Sequence, residues 1–252
     1  IENQSRLPEG VFMTKDLSYT FVDVGFPVWL RQRVGRYFTG EDDEELSFGP
    51  GDLTAWYQYW ADLREMGAVM PPDVFAEYDG VPREQNYVVT ERIVVEFENS
   101  NQIVLTQDLM ESELQLHRMP TMPEGKHTYG DWTSGAYLSI STTTDHPEEA
   151  ARFANFFVNN WGAQDIFNAE HGRPANDSVA ARIMERSNPL QQDFLELTAN
   201  VLNTAPPRLA FSQYRGQIVS ALTLTGEQIA FGALSIDEAV DRFFNEANSI
   251  FQ

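Results

Sequence analysis

Tyr129-Gly-Asp-Trp-Thr-Ser-Gly-Ala-Tyr-Leu-Ser-Ile-Ser-Thr-Thr-Thr-Asp-His-Pro-Glu-Glu-Ala-Ala-Arg-Phe-Ala-Asn-Phe-Phe157 reads as a glycine-flanked aromatic loop, then a short strand, then a capped amphipathic helix. Asp145, with Glu148 three residues later, has the spacing of an N-cap pair, and Pro147 falls in the first turn, where its missing N–H costs nothing. Ala150, Phe153, Ala154, Phe157 and Trp161 recur at helical spacing and make one apolar stripe, so a helix is expected over about 145–160. Trp132 belongs to no such stripe and is bracketed by Gly130 and Gly135, which places an exposed indole beside a chain crossover.

Downstream, residues 163–170 begin a second, shorter helix, His171-Gly-Arg-Pro-Ala-Asn is a turn, and residues 177–204 read as helices with polar exteriors. Ala205-Pro-Pro-Arg is a stiff return segment. A helix is expected over 211–231. Ser235-Ile-Asp-Glu is a capping box, and Ala239, Val240, Phe243, Ala247 and Ile250 form the stripe of a terminal helix. Upstream, Gly10–Asp16 has the look of an edge strand, residues 28–35 of a helix ending at Gly35, and 37–51 of an acidic surface connection. Asp52 is the expected cap of a helix whose Trp56, Tyr59, Trp60, Leu63 and Met66 share a face, and that spacing favours core packing over a sugar platform. Residues 92–97 form a short strand rich in β-branched residues, followed by the polar cluster Glu98-Asn-Ser-Asn-Gln.

The composition is that of a globular chain with core enough for one large or two small domains. Cysteine is absent, which excludes disulfides, thiolate zinc sites and cysteine nucleophiles. A net charge of −21 opposes nucleic acid and anionic membrane surfaces, since either would be repelled over most of the protein. Lys15 and Lys126 are the only lysines, and arginine supplies the other cations. No apolar run of roughly eighteen residues exists to cross a membrane, and Ile1-Glu-Asn-Gln-Ser is not a signal peptide.

The 145–157 stretch, with its "hPEEAarF" pattern, resembles the extracellular solute-binding proteins of bacterial ABC importers, in particular the sugar-binding branch that includes maltose-binding protein. Gly232-Ala-Leu-Ser-Ile-Asp-Glu-Ala-Val is similar to the family's "G…s.eeAl" signature, and His171-Gly-Arg-Pro-Ala to its "rGvPa" turn. The resemblance runs from Gly10 to Gln252 and begins part-way through the family pattern, so a chain lacking most of the first lobe is expected. It implies an α/β fold, periplasmic-binding-protein-like type II, with 1–140 as the first part of the second lobe, 141–204 as helices returning to the first lobe and 205–252 as closing helices of the second. Hinge passes are expected at Ser139–Thr144 and Thr204–Arg208. Also implied are an exported, periplasmic or extracellular protein, with a lipid anchor through the missing N-terminal part as one means of attachment. It would act as a monomer that takes up a sugar or oligosaccharide, needs no cofactor or metal, and presents two closed lobes to a membrane permease. A fragment of this kind is expected to bind sugar weakly on its own.

Ligand contacts are expected from several places. Trp132 suits the apolar C–H face of a pyranose, with Tyr129 as a weaker companion, and Asp131 either binds sugar hydroxyls or caps a turn. Asn99, Asn101 and Gln102 lie at the carboxyl end of a strand, where open α/β sheets bind ligands. Their amides either meet sugar hydroxyls or form a turn and a helix cap. Arg173 faces ligand or holds the turn. Tyr214 and Arg215, at the start of a helix, are candidates for stacking and hydroxyl binding. No residue is assigned a catalytic role. The competing readings are a glycosidase-like enzyme, which needs two carboxylates across a cleft, and a sensory lobe that binds another protein. His117, His127, His146 and His171 lack metal-ligand spacing, and no hydrolase, phosphate-loop or dinucleotide motif is present.

Overall fold

The computed structural model describes residues 6–39, 45–78, 80–122, 135–204 and 212–252. The chain divides into two compact units. Unit 1 comprises Ile1–Phe97, Met119–Asp131 and Leu209–Gln252, and unit 2 comprises Glu98–Arg118 and Trp132–Arg208. Residues 98–118 thus group with the 141–204 helices, and the chain changes unit at 97/98, 118/119, 131/132 and 208/209 rather than at 140/141 and 204/205.

Unit 1 is built around α1 (Val22–Val34), α2 (Pro50–Glu65), α9 (Arg215–Ala230) and α10 (Ile236–Ile250), with the two-residue strands β1 (Phe38–Thr39) and β2 (Glu45–Leu46) paired antiparallel and the short helix α3 (Pro72–Ala76). Gly35 ends α1 at φ 92°, a left-handed conformation that glycine adopts without cost. The Phe26 ring of α1 meets Phe48 at 5.0 Å and Trp56 at 5.5 Å, while Ile218, Leu222 and Phe243 close the core from α9 and α10. Each such side chain contributes about 1.5–3 kcal/mol by leaving water. Trp56, Trp60 and Leu63 are buried as their spacing predicts, but Tyr59 and Met66 are each half exposed and Tyr57 takes the inward place. Tyr57 is turned inward by a polar anchor: its hydroxyl meets Thr225 Oγ1 at 2.7 Å. Desolvation pushes the phenols of Tyr37 and Tyr57 up from the usual tyrosine range, so both stay neutral at physiological pH.

The expected 10–16 edge strand is instead the middle of three parallel segments. Phe12 bridges to Ile93 and Thr14 to Val69; Phe12 N–H donates to Arg92 O at 2.9 Å, Val94 N–H to Phe12 O at 3.0 Å and Met70 N–H to Thr14 O at 3.0 Å. An edge assignment fails because both sides of this backbone find partners. Asp52 is the third residue of α2 rather than its cap: Gly49 N–H donates to Asp52 Oδ2 at 3.2 Å.

The terminal capping box forms as the sequence predicts. Ser235 Oγ accepts the Glu238 N–H at 3.3 Å, and Glu238 Oε2 accepts the Ser235 N–H at 2.9 Å. Ala239, Val240, Phe243 and Ala247 then point inward. A Ser235→Ala change is expected to cost about 1 kcal/mol in urea unfolding. The Ser235 bonds also hold the Glu238 carboxyl below its ordinary range. A depressed folded pKa means that this contribution is present above the unfolded pKa and is lost as pH falls through the folded value. The Ser235→Ala penalty therefore shrinks in acid, and a penalty constant with pH would refute the reciprocal box.

Unit 2 holds α4 (Gln102–Gln107), α5 (Pro147–Asn159), α6 (Trp161–Phe167), α7 (Asp177–Met184) and α8 (Pro189–Thr204). Its core gathers Ala169, Val179, Ile183, Phe194 and Leu195. Trp161 lies under two guanidinium groups, Arg182 at 4.4 Å and Arg186 at 5.5 Å. The helix predicted over 145–160 is α5, but its N-cap is His146 with no side-chain bond, so Asp145 does not cap it. No residue of α5 is buried: Phe153 of its apolar stripe is 61% exposed and Phe156 beside the stripe 48%, while Ala150, Ala154 and Phe157 are half-buried. The strand expected after Gly135 does not form among the described residues: 135–140 carry no regular secondary structure, and Tyr137 is 85% exposed. Alternation and spacing define an apolar face; they do not say what covers it.

Candidate functional site

Tyr129, Asp131 and Trp132 lie outside the described residues. The other candidates fall into two groups. In unit 2, Asn101 precedes α4 and its Nδ2 donates to Glu170 O at 2.7 Å. That bond ties the start of α4 to the turn carrying Arg173. Asn99 is in the preceding turn, where its N–H donates to Glu98 Oε1 at 2.9 Å. Gln102 is the first residue of α4 and its carbonyl accepts the Thr106 hydroxyl at 2.9 Å. Arg173 is mostly covered and pairs with Asp177 at 2.7 Å, one helical turn on, while also donating to Pro174 O at 3.3 Å. Its guanidinium therefore braces the turn into α7.

In unit 1, Tyr214 precedes α9 and packs edge-on against Phe251 with ring centroids 5.1 Å apart. Arg215 opens α9 and reaches α1, where Nη2 meets both Asp23 O and Asp23 Oδ2 at 3.3 Å. Near these residues, a recess of about 520 Å³ between β2 and the end of α10 is lined by Phe48, Phe244, Ala247 and Phe251, with Glu45 and Asn248 as polar members.

Sequence reasoning missed the charged cluster at the carboxyl ends of the parallel segments. Lys15, buried, places Nζ 2.5 Å from Glu96 Oε1 and 3.3 Å from the Tyr87 hydroxyl, with the Phe21 ring 4.9 Å away. Next to it in sequence, buried Asp16 pairs with Arg64 and accepts the Ser18 N–H at 2.8 Å. The one available signal was that Lys15 is one of two lysines. Among the described residues, no group of three His, Asp or Glu side chains is placed to hold a metal ion, and no helix is long and apolar enough to cross a membrane.

No family model matches the sequence. The structure, however, superposes on solved binding proteins over almost its whole length. The chain has the fold of the periplasmic solute-binding proteins. One match is an extracellular solute-binding protein family 1 member from Alicyclobacillus acidocaldarius, at 24% identity and TM-score 0.76 over 97% of this chain and 61% of that one. A second is a periplasmic oligogalacturonide-binding protein from Yersinia enterocolitica in complex with saturated digalacturonic acid, at 17% identity and TM-score 0.80 over 98% and 62%. A third is a maltose/maltodextrin-binding domain from Bdellovibrio bacteriovorus bound to maltotriose, at 14% identity and TM-score 0.62 over 95% and 60%. The chain therefore spans about 60% of the length of the solute-binding structures it matches. In this α/β fold, type II, the polar cluster at 98–102, Arg173 and the start of α9 carry hydrogen-bonding side chains among the described residues.

Proposed function

We propose that this chain is part of the substrate-binding component of an ABC importer, exported from the cytoplasm, which captures a sugar or oligosaccharide between two lobes and delivers it to a membrane permease. The observation that carries this reading is the fold, matched to sugar-binding members at TM-scores up to 0.80 over 98% of the chain. The division into two units joined by four chain passes supports it, since closing two bodies on a ligand by hinge motion is how such a device works. Amide and guanidinium side chains at Asn99, Asn101, Gln102, Arg173 and Arg215, with the rings of Trp132, Tyr129 and Tyr214 and the Asp131 carboxylate, are the proposed contacts. Binding without chemistry is the proposed activity, so the protein is not an enzyme.

Calorimetric titration of the full native polypeptide with neutral maltodextrins and acidic oligogalacturonides tests the reading. A saturable heat with one of them, and a rise in unfolding free energy of about 2.7 kcal/mol at a hundredfold excess over Kd, is the expected result. Turnover of a glycoside, or a stable complex with another protein in the absence of any sugar, would overturn it.

A further inference from the structure

Arg215 stands at the unfavourable end of its helix. It is the first residue of α9, where the unpaired N–H groups of the first turn make the helix end positive and the macrodipole opposes a guanidinium. Its backbone is fixed in that place: its N–H donates to Ser212 O at 3.1 Å, and the preceding Tyr214 N–H donates to Ser212 Oγ at 3.2 Å. What offsets the cost comes from α1 of the same unit. Asp23 lies in the first turn of α1, where a carboxylate suits the helix dipole. It receives Arg215 Nη2 on both Oδ2 and its backbone carbonyl, each at 3.3 Å. The side chains of the pair are 28% and 41% exposed, so solvent and a ligand's hydroxyls can reach them. The neighbouring Tyr214 ring, set edge-on to Phe251, gives the same corner of unit 1 an aromatic surface.

We propose that Asp23 is a specificity-determining residue: by neutralising Arg215 it makes the start of α9 select neutral saccharides over uronates. The inference rests on the sugar-binding reading above and names the class of sugar. A guanidinium paired with a carboxylate is a neutral unit that holds donors and acceptors side by side, and sugar hydroxyls, themselves donors and acceptors, can engage both. A uronate carboxylate only accepts. It also brings a charge that must either displace Asp23 from Arg215 or lie close to a second carboxylate. The net charge of −21 adds a weaker repulsion of the same sign. With an uncharged side chain in place of Asp23, the same guanidinium would be left to take a ligand carboxylate bidentately.

Calorimetric titration of the full native polypeptide and of its Asp23→Asn variant with matched pairs of sugars tests this. The pairs are maltotriose against the same trisaccharide oxidised to the uronate, and galactobiose against digalacturonate. Asparagine keeps the shape of Asp23, and an ion pair this exposed contributes little to stability, so the variant is expected to fold, which urea unfolding checks. The parent is expected to bind the neutral member of a pair about tenfold or more tightly than the acidic one, with an affinity that hardly changes between low and high salt. Asp23→Asn is expected to raise affinity for the acidic member about tenfold, the effect of removing one like charge from a partly screened site, and to move the neutral member by less than about threefold. A parent that prefers the acidic member overturns this inference and leaves the sugar-binding reading standing. So does a folded Asp23→Asn whose affinity for the acidic member is unchanged. Binding of none of the four sugars by either protein is the separate result that withdraws the sugar-binding reading, and this inference with it.

Discussion

Gly226→Ala is expected to cost about 3 kcal/mol or more, at the upper end of what overpacking does in a core. A Cβ at this position of α9 would stand 2.1 Å from Ser18 O and 2.8 Å from Ser18 C, so relief requires backbone rather than a side-chain tip to move. Ser18 cannot yield cheaply. Its N–H is held by Asp16 Oδ1 at 2.8 Å and its hydroxyl accepts from Arg64 at 3.3 Å, and Asp16 and Arg64 are themselves paired. The control is Gly216→Ala in the first turn of the same helix, where a Cβ meets nothing within 4 Å. That change is expected to stabilise by up to about 1 kcal/mol through helix propensity. Urea unfolding of the two variants compares them directly, and equal midpoints would mean that α9 does not approach residue 18 this closely.

Lys15→Ala has the second large effect. With side chains 5% and 16% exposed, Lys15 and Glu96 form a pair that water screens poorly, and removing the ammonium breaks that pair and the Lys15 bond to the Tyr87 hydroxyl together. The expected loss is about 3–5 kcal/mol. Replacing both partners by apolar side chains of similar volume, as in Lys15→Met with Glu96→Leu, is expected to be close to neutral, because the two halves of the pair are then removed together. A double variant as unstable as Lys15→Ala would show that the pair contributes through net attraction, and a single variant losing under about 1 kcal/mol would show it to be solvated like a surface pair.

What could be read from sequence follows the range of the interactions involved. The box at Ser235 and Glu238 and the stripe of α10 are local, and both appear in the structure as spaced. So does the inward face of Trp56 and Trp60, although Tyr57 rather than Tyr59 is inside. The two tyrosines stand on different sides of the helix, and the bond that selects Tyr57 comes from Thr225, 168 positions away. Lys15 and Glu96 were illegible for the same reason: nothing near either residue announces a partner reached only through the fold. Arg215 was legible as a charged residue at a helix start and Arg173 as one in a turn, but the tie of Arg215 to Asp23, 192 positions away, was not. The middle position of residues 12–14 was missed because an edge strand and an inner parallel strand of so few residues share one composition.

Two phenylalanines of α5, Phe153 and Phe156, are turned to water, and this makes the chain's dispersion in solution depend on its charge. Copies are kept apart by a charge of −21, a repulsion that reaches only about 8–10 Å at ordinary ionic strength and vanishes near the isoelectric point of ≈ 4.4. Below about pH 5, or in strong brine, that repulsion is lost, and light scattering is expected to rise there if these phenylalanines meet between molecules. The acidic side chains therefore act as a colloidal stabiliser for this helix, and the pH and salt of the buffer set how long the protein stays clear.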